Sequence, residues 1–352
     1  MDDNGEFNDH LRSVKSGDGC SVAKLKHELT GGTPVPLLRV FTLSGDKFFL
    51  PWYHSRMHKI LFGFALLVST LISSAQTNAS FTRTEDVIYG RKFGTALTLD
   101  VFKPAKPNGF GIIFVVSGGW FSAHEAINPA MFQTFLDRGY TVFPVVHRSQ
   151  PKFIIPEITE DMHRAVRFIR SNAAKYGINP DKLGVTGGSA GGHLSLTLGT
   201  QGAKGKSDAK DPIARESSAV QAVACFFPPT DFLNYGKPGE DGVGIGILKG
   251  FKAAFGPRSD DTEERKKLGR EISPIYFVTS NTPPTLIIHG DADTLVPLQQ
   301  AETFLERAKE VGVKTELVVK KGAGHGWKDW IADFPLFGDW FDEHLRGIKS
   351  GK

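Results

Sequence analysis

The sequence predicts an α/β fold built around a mostly parallel central sheet flanked by helices. From about residue 80 onward, short runs rich in valine, isoleucine and phenylalanine alternate with longer segments of helical periodicity. That alternation is typical of parallel strands joined by crossover helices. Most of the runs are continuously apolar, as expected for parallel strands that are buried on both faces.

The predicted elements follow one another in a regular order. The predicted strands are 86–89, 97–102, 111–116, 141–146, 183–186, 220–227, 285–288 and 315–319. The first two are expected to form an antiparallel hairpin around Gly94, because glycine accepts the positive φ of a tight turn. The predicted helices are 129–138, 157–175, 191–199, 298–311 and 330–349.

The least regular stretch, residues 232–283, follows the sixth predicted strand. It contains GKPGEDGVGIGILKG and the charged run SDDTEERKK. An irregular segment of this length inside a compact domain is typical of a lid or a substrate-binding loop. A solvated surface helix with a flexible lead-in is an alternative interpretation of equal weight.

Residues 57–75 have the three parts of a secretory signal peptide, with a basic start, an apolar run over 60–72 and small residues ending at Ala75. As a helix the apolar run spans about 20 Å, less than the roughly 30 Å of a bilayer core. A buried core helix is the alternative. We expect cleavage near Ala75, export to the periplasm or medium, membrane contact only during export, and one α/β domain over 76–352 with 232–283 as a lid-like insertion.

Signal peptides begin at an initiator methionine, and this one begins at Met57. We therefore hypothesise that translation starts at Met57, with residues 1–56 a non-native upstream extension or a disordered leader. Peptides from before Met57 in the native protein, detected by mass spectrometry, would exclude that start.

The composition excludes several classes of function. A net charge of +4, from 42 basic and 38 acidic residues, is too small and too evenly spread for a nucleic-acid-binding surface. The two cysteines, Cys20 and Cys225, are too few for a disulfide scaffold or a cysteine-rich metal site.

Residues 187–193, GGSAGGH, contain the pattern G-x-S-x-G around Ser189. The pattern follows a predicted strand and leads into a predicted helix, which is the arrangement of a nucleophile elbow. Glycines on both sides are needed because the serine occupies a strained turn close to neighbouring backbone. The sequence therefore predicts Ser189 as a nucleophile, with a glycine-rich packing turn as the alternative.

A serine nucleophile needs a base and an acid, which follow it in the chain in elbow-type hydrolases. His325, in the loop GAGHGW after the last predicted strand, is the predicted base. The predicted acid is Asp293 in HGDADTLVP, with Asp291 and Asp231 as alternatives. Both loops leave the carboxyl edge of the sheet, where the active sites of open α/β sheets lie.

A serine that attacks a carbonyl group also needs main-chain donors for the oxyanion of its intermediate. The segment VSGGW follows the third predicted strand, so the amides of Gly118 and Gly119 are predicted donors together with that of Ala190. An ordinary Gly-Gly turn is the alternative. Trp120 and Trp327, which flank these loops, are predicted to contact the substrate.

These motifs, together with the run DMHRAVRFIRSNAAKYGINPDKLGVTGGSAGG, resemble the α/β-hydrolase family over residues 84–345. Within it they resemble bacterial esterases related to hormone-sensitive lipase and to the feruloyl and acetyl-xylan esterases of BD-FAE type. One departure is Val116 and Ser117, where such esterases usually have His-Gly. A second is the lack of an N-terminal helical cap after residue 75, which predicts an open cleft.

The resemblance implies an exported serine carboxylesterase that needs no metal and no organic cofactor. Its expected substrates are short acyl or aromatic acyl esters, small or carried on polysaccharide. A serine peptidase related to prolyl oligopeptidase and a non-catalytic binding protein with a hydrolase fold are the alternatives. Nothing in the sequence indicates the oligomeric state.

Overall fold

The computed structural model describes residues 80–349, which contain one eight-stranded sheet with the order β1-β2-β4-β3-β5-β6-β7-β8. The strands are β1 Phe81–Lys92, β2 Thr95–Pro104, β3 Gly111–Val116, β4 Thr141–Val146, β5 Leu183–Gly188, β6 Ala222–Phe226, β7 Thr285–Gly290 and β8 Thr315–Lys320. β2 is antiparallel to β1 and β4, and the other neighbours are parallel. The α/β prediction and the hairpin at Gly94 are confirmed.

The predicted leader 1–56 and signal peptide 57–75 lie outside the described residues. Export and cleavage therefore stay predictions. Within residues 80–349, no helix has the length and apolar character needed to cross a membrane.

Helices cover both faces of the sheet. The α-helices are α1 Gln133–Asp137, α2 Ile155–Ser171, α3 Ala173–Tyr176, α4 Ala190–Thr200, α5 Lys252–Phe255, α6 Thr262–Ile272, α7 Gln299–Glu310 and α8 Phe334–Phe341. Short 3₁₀ turns span His124–Ala126, Pro129–Met131, Pro212–Arg215, Gly246–Phe251, Pro257–Ser259, Pro274–Phe277 and Trp330–Asp333, and a π turn spans Asp342–Arg346. Two predicted helices, 129–138 and 330–349, are thus each divided between 3₁₀, α or π segments.

Buried apolar side chains form a cluster on each face of the sheet. The longest helix, α2, buries one stripe of residues at the three- and four-residue spacing of a helix face, namely Ile155, Ile158, Met162, Ala165, Val166 and Ile169. This packing holds the sheet in place. Because β3, β5, β6, β7 and β8 are parallel, their carboxyl ends lie along one edge of the sheet.

The segment 232–283 is packed onto the core. Its buried apolar residues join the larger cluster, and they include Phe232, Tyr235, Val243, Leu248, Phe255, Leu268 and Ile272. Helix α6 within it is capped by Asp261, whose carboxylate accepts from the amides of Glu263 and Glu264. Lid motion of this segment stays a prediction.

Three histidines inside the fold make its stability depend on pH. Burial lowers the pKa of His147, His163 and His193 to about 4, with a further decrease from Arg167 at His163. In the unfolded chain these groups have pKa values of about 6.5, so the unfolded state binds more protons between pH 6.5 and pH 4.

We therefore expect the free energy of unfolding to fall as pH decreases through that window, by about 1.4 kcal/mol per pH unit for each histidine. Urea unfolding at pH 7, 6 and 5 measures it. In the variant His163→Gln the change of the free energy of unfolding with pH should be smaller by the contribution of one histidine. A free energy of unfolding that is the same at pH 7 and pH 5 would contradict the lowered pKa values of these histidines.

Candidate active site

Ser189 lies at the turn between β5 and α4 with a φ of 54°, a left-handed conformation that is strained for a residue with a side chain. The flanking glycines allow that turn. A Cβ on Gly187 would lie 2.7 Å from the Gly191 carbonyl, and one on Gly191 would lie 2.9 Å from the Val115 oxygen. The predicted strand, turn and helix around Ser189 are confirmed.

The structure brings Ser189, His325 and Asp293 together from three loops. The Ser189 hydroxyl lies 2.8 Å from His325 Nε2, and His325 Nδ1 lies 2.7 Å from Asp293 Oδ2. Because a carboxylate only accepts, Nδ1 carries the ring proton and Nε2 is left to accept from the serine. This is the arrangement in which a histidine takes the proton of a serine nucleophile.

Asp293 is held as a carboxylate. Its Oδ1 accepts from the amides of Leu295 and Val296, each at 2.9 Å. Burial raises the pKa of Asp293, but the contacts from His289, His325 and the Val296 amide outweigh it and hold that pKa well below its usual range. Asp293 therefore stays ionised and keeps the Nδ1 proton in place on His325.

The alternative acids have other partners. Asp291 Oδ1 accepts from the Gly322 amide at 2.6 Å, and Asp231 Oδ1 accepts from the Leu233 amide and the Tyr276 hydroxyl at 3.0 Å. Both carboxylates stabilise local loops, and Asp293 is the carboxylate bonded to His325.

The neighbouring histidines do not contact the Ser189 hydroxyl. His289 Nε2 donates to the Val296 carbonyl at 2.8 Å and lies 3.5 Å from Asp293 Oδ2, so it closes the loop that carries Asp293. His193, one turn of helix after Ser189, is fully buried and bonded to Trp120 and Ile272. Neither ring is therefore bonded to the Ser189 hydroxyl, and His325 is the histidine that reaches it.

The prediction for Gly118 is corrected by the turn that follows β3. Gly118 and Phe121 exchange two main-chain hydrogen bonds of 3.0 and 2.9 Å, and the residues between them, Gly119 and Trp120, have φ values of 55° and 59°. Two positive φ values in a two-residue connection are the signature of a type I′ turn. The Gly118 amide is consumed by the turn and cannot donate to an oxyanion in this conformation.

Two of the predicted donors keep free amides. Within residues 80–349 neither Gly119 nor Ala190 donates its main-chain N–H to another protein group. Ala190 is the first residue of α4, where the amides point toward the positive end of the helix dipole. Gly119, Ser189 and His325 line the same pocket.

A pocket of about 620 Å³ opens in front of Ser189. Its walls come from the loops after β3, β5, β6, β7 and β8 and from the 232–283 segment. The side chains that line it are mostly apolar, including Phe114, Val116, Phe121, Met131, Phe227, Phe251, Leu295 and Trp330. The polar side chains among the lining residues are Ser117, Ser189 and His325, and none of the lining residues carries a permanent charge.

Both predicted substrate-contacting tryptophans lie outside this wall. Trp120 is 2% exposed and packs behind the turn against His193 and Phe232. Trp327 donates through Nε1 to Asp333 at 2.8 Å and so braces the loop that carries His325. Each indole is held in the protein by a hydrogen bond of its own, which explains why neither faces the pocket.

The aromatic residues that do line the pocket are ones that the sequence analysis missed. Phe227 follows β6 with a φ of 35°, and its ring centroid lies 4.6 Å from that of His325. Trp330 stands three residues beyond Trp327, and Phe251 comes from the 232–283 segment. The signal for Phe227 was available, since a bulky apolar residue directly after a parallel strand lies at the edge where such sites form.

Comparison with known proteins identifies the family. The sequence model of the BD-FAE family matches residues 99–308. The chain belongs to the BD-FAE family. The match includes the elbow and the loop of Asp293, while His325 follows beyond its end.

Individual relatives of this BD-FAE chain are esterases by name. Esterase LipC of Mycobacterium tuberculosis is 30% identical over 247 residues, which cover 68% of this chain and 59% of LipC. A structure described as a truncated carbohydrate esterase from gut microbiota is 26% identical, covers 76% of this chain and 98% of its own, and has a TM-score of 0.61. The butyrate-bound Est2 esterase of Thermogutta terrifontis is 26% identical, covers 70% and 85%, and has a TM-score of 0.54.

These comparisons confirm the α/β-hydrolase fold. This BD-FAE chain spans between half and three fifths of the length of the mycobacterial relatives it matches, for example 52% of the carboxylic ester hydrolase LipM.

Proposed function

We propose that this protein is a serine carboxylesterase that works through an acyl-enzyme. The observation that carries the proposal is the hydrogen-bonded chain from Ser189 through His325 to Asp293, whose first two members line a pocket without permanently charged side chains. Membership of a family whose named relatives are esterases supports the same reaction. No observation on the site favours a peptidase or a non-catalytic binding protein.

Acylation begins with Ser189 Oγ attacking the ester carbonyl carbon while His325 Nε2 takes the hydroxyl proton. Asp293 stabilises the imidazolium that forms. The carbonyl oxygen becomes an oxyanion and accepts hydrogen bonds from the amides of Ala190 and Gly119. His325 then returns its proton to the leaving alcohol as the carbon–oxygen bond breaks, and the acyl group remains on Ser189.

Deacylation repeats these steps with water as the nucleophile. His325 Nε2 takes a proton from a water that attacks the acyl carbon, and the same amides receive the second oxyanion. When this intermediate collapses, the proton goes to Ser189 Oγ and the carboxylic acid leaves. The Phe227 ring against His325 limits where the imidazole can move between the two stages.

The pocket wall indicates the kind of acyl group. Apolar and aromatic side chains with no permanent charge suit a short aliphatic or an aromatic acyl group. The alcohol is proposed to be a sugar hydroxyl on a polysaccharide. The Phe121 ring is 56% exposed on the pocket wall and offers an apolar surface on which the ring of that sugar can pack. The similarity to a carbohydrate esterase also supports the proposal.

The pocket predicts discrimination against charged acyl groups. We expect kcat/KM for p-nitrophenyl butyrate to exceed that for the p-nitrophenyl hemiester of succinate by at least about a hundredfold, because an unpaired carboxylate is costly to desolvate against apolar walls. Initial rates at pH 7 measure the ratio. Equal rates for the two esters would contradict the placement of the acyl group in this pocket.

The polysaccharide part of the proposal has its own test. Acetylated xylan and feruloylated arabinoxylan oligosaccharides are incubated with the protein, and free acetate and ferulate are measured. Release that depends on Ser189 supports a carbohydrate ester as the substrate class. Hydrolysis of p-nitrophenyl esters without release from either material would restrict the proposal to small esters.

A further inference from the structure

His193 is buried behind the nucleophile and joins three segments of the site. It belongs to α4, it lies one helical turn after Ser189, and its side chain is fully buried. Its Nδ1 lies 3.1 Å from Trp120 Nε1, and its Nε2 lies 2.7 Å from the carbonyl oxygen of Ile272.

The partners fix the tautomer of this ring. A carbonyl oxygen only accepts, so Nε2 carries the proton and donates to Ile272. An indole N–H only donates, so Nδ1 is the acceptor for Trp120. Both ring nitrogens are satisfied by one neutral form, and burial holds the pKa of His193 at about 4.

The residue held by Nδ1 is part of the turn that carries an oxyanion donor. Trp120 follows Gly119 directly, and its φ of 59° is uncommon for a bulky residue. Such a backbone persists only where the surroundings hold it. The Trp120 side chain is held by the bond to His193 and by edge contacts with the rings of Phe251 and Phe255.

The opposite side of the turn is closed as well. A Cβ added to Gly119 would lie 2.6 Å from the Phe251 ring, so the ring and the glycine are in direct contact. The main-chain amide of Gln150 donates to the Trp120 carbonyl at 3.3 Å. The bond from the Trp120 side chain to His193 ties this turn directly to the helix that follows the nucleophile.

We propose that His193 is a positioning residue that sets the distance between the Gly119 amide and Ser189 by holding Trp120. This inference rests on the proposed esterase function and adds a residue to it. His193 acts on the transition state through Trp120 and touches neither the substrate nor Ser189 Oγ. Its Ile272 bond ties the 232–283 segment to the same point.

Two matched variants separate the two bonds of the ring. His193→Gln places an amide nitrogen near Nε2, which keeps a donor for Ile272 and removes the acceptor for Trp120. His193→Asn places an amide oxygen near Nδ1, which keeps that acceptor and removes the donor for Ile272. Each variant loses one hydrogen bond. Asparagine is the smaller side chain and leaves the larger cavity, so general damage to the core would lower the activity of His193→Asn at least as much as that of His193→Gln. Trp120→Phe removes the same bond from the other side.

The expected loss is in kcat, with KM changed less than about threefold, because the oxyanion forms only after binding. We expect His193→Gln to reduce kcat about tenfold to a hundredfold, as a misplaced oxyanion donor would. The kcat of His193→Asn should be at least about ten times that of His193→Gln. The double variant Trp120→Phe, His193→Gln should lose no more than the worse single variant, since both remove one interaction.

A second readout uses inhibitors rather than turnover. The serine adds to an alkyl trifluoromethyl ketone and forms an oxyanion in the same place, whereas the corresponding trifluoromethyl carbinol is neutral, has no carbonyl carbon for the serine to attack and forms none. For His193→Gln the inhibition constant of the ketone should rise by the factor by which kcat/KM falls, while that of the carbinol stays within about threefold. Thermal melting of each variant is measured alongside.

The outcomes are distinct. If the wild-type protein hydrolyses esters through Ser189 and the glutamine and asparagine variants lose equal activity, or lose it only in KM, the positioning role is wrong and the esterase proposal stands. If the wild-type protein has no Ser189-dependent turnover, the proposed function fails and this inference falls with it. Ketone and carbinol inhibition weakened by the same factor would also overturn the inference.

Discussion

Replacing Ser189 with alanine is expected to reduce kcat/KM for p-nitrophenyl acetate by about four to six orders of magnitude. The substitution removes the oxygen that attacks the ester and keeps the elbow backbone, so substrate still binds beside the oxyanion donors. What remains is the background rate of a water molecule held in the pocket. Initial rates of p-nitrophenol release at pH 7 measure the effect.

Ser195→Ala is the matched control for that experiment. Ser195 lies in helix α4, which begins directly after Ser189, and it is fully buried; its hydroxyl donates to the Gly191 carbonyl at 2.7 Å, away from His325. We expect its kcat/KM to stay within about threefold of the wild type, since only one helix-internal hydrogen bond is lost. Residual activity of Ser189→Ala within tenfold of the wild type would contradict the nucleophile assignment.

The second large effect is expected at Asp293. Asp293→Asn keeps the shape of the side chain but replaces the carboxylate that holds the Nδ1 proton of His325. An asparagine amide favours the opposite tautomer, in which Nε2 carries the proton and cannot take one from Ser189. By analogy with the same substitution in serine proteases, kcat is expected to fall about ten-thousandfold.

Asp291→Asn serves as the control because Asp291 lies in the same loop and bonds the Gly322 amide rather than His325. An asparagine oxygen can accept that same bond, so activity is expected to stay within about threefold of the wild type. Near-full turnover by Asp293→Asn together with a large loss in Asp291→Asn would reverse the assignment of the acid.

Much of the fold was predictable because short local sequence patterns indicate the strands. Strands β3 and β4 agree with the predicted residues at both ends, since each is an uninterrupted apolar run bounded by glycine or by polar residues. The grouping of Ser189, Asp293 and His325 was also predictable. Their loops follow strands of one parallel sheet, and the ends of such strands meet at one edge.

The helices were predicted less accurately, for reasons of backbone chemistry. The last predicted helix, 330–349, contains Pro335, which has no amide proton and whose ring clashes with the preceding turn. The chain instead forms a 3₁₀ turn up to Asp333 and begins α8 at Phe334. Helix 129–138 is divided in the same way after its 3₁₀ start at Pro129.

The pocket and the oxyanion turn could not be predicted from local pattern. The pocket wall combines side chains from five loops and the 232–283 segment, and their meeting depends on the whole fold. The error at Gly118 has a local origin, because both Gly119 and Trp120 adopt positive φ and the turn then uses the Gly118 amide itself. A tryptophan in that conformation is uncommon, and the buried bond to His193 that accompanies it is a tertiary contact.

The central claim is that Ser189 becomes covalently bonded to the substrate during turnover. It is tested most directly with an alkyl fluorophosphonate, which forms a bond from the nucleophile oxygen to phosphorus and releases fluoride. The protein is labelled, digested with trypsin and sequenced by mass spectrometry, since residues 183–204 form one peptide that contains both Ser189 and Ser195. We predict one adduct per chain, on Ser189, with loss of esterase activity in proportion to labelling. An active protein whose adduct lies on another residue, or that stays unlabelled, would contradict the mechanism.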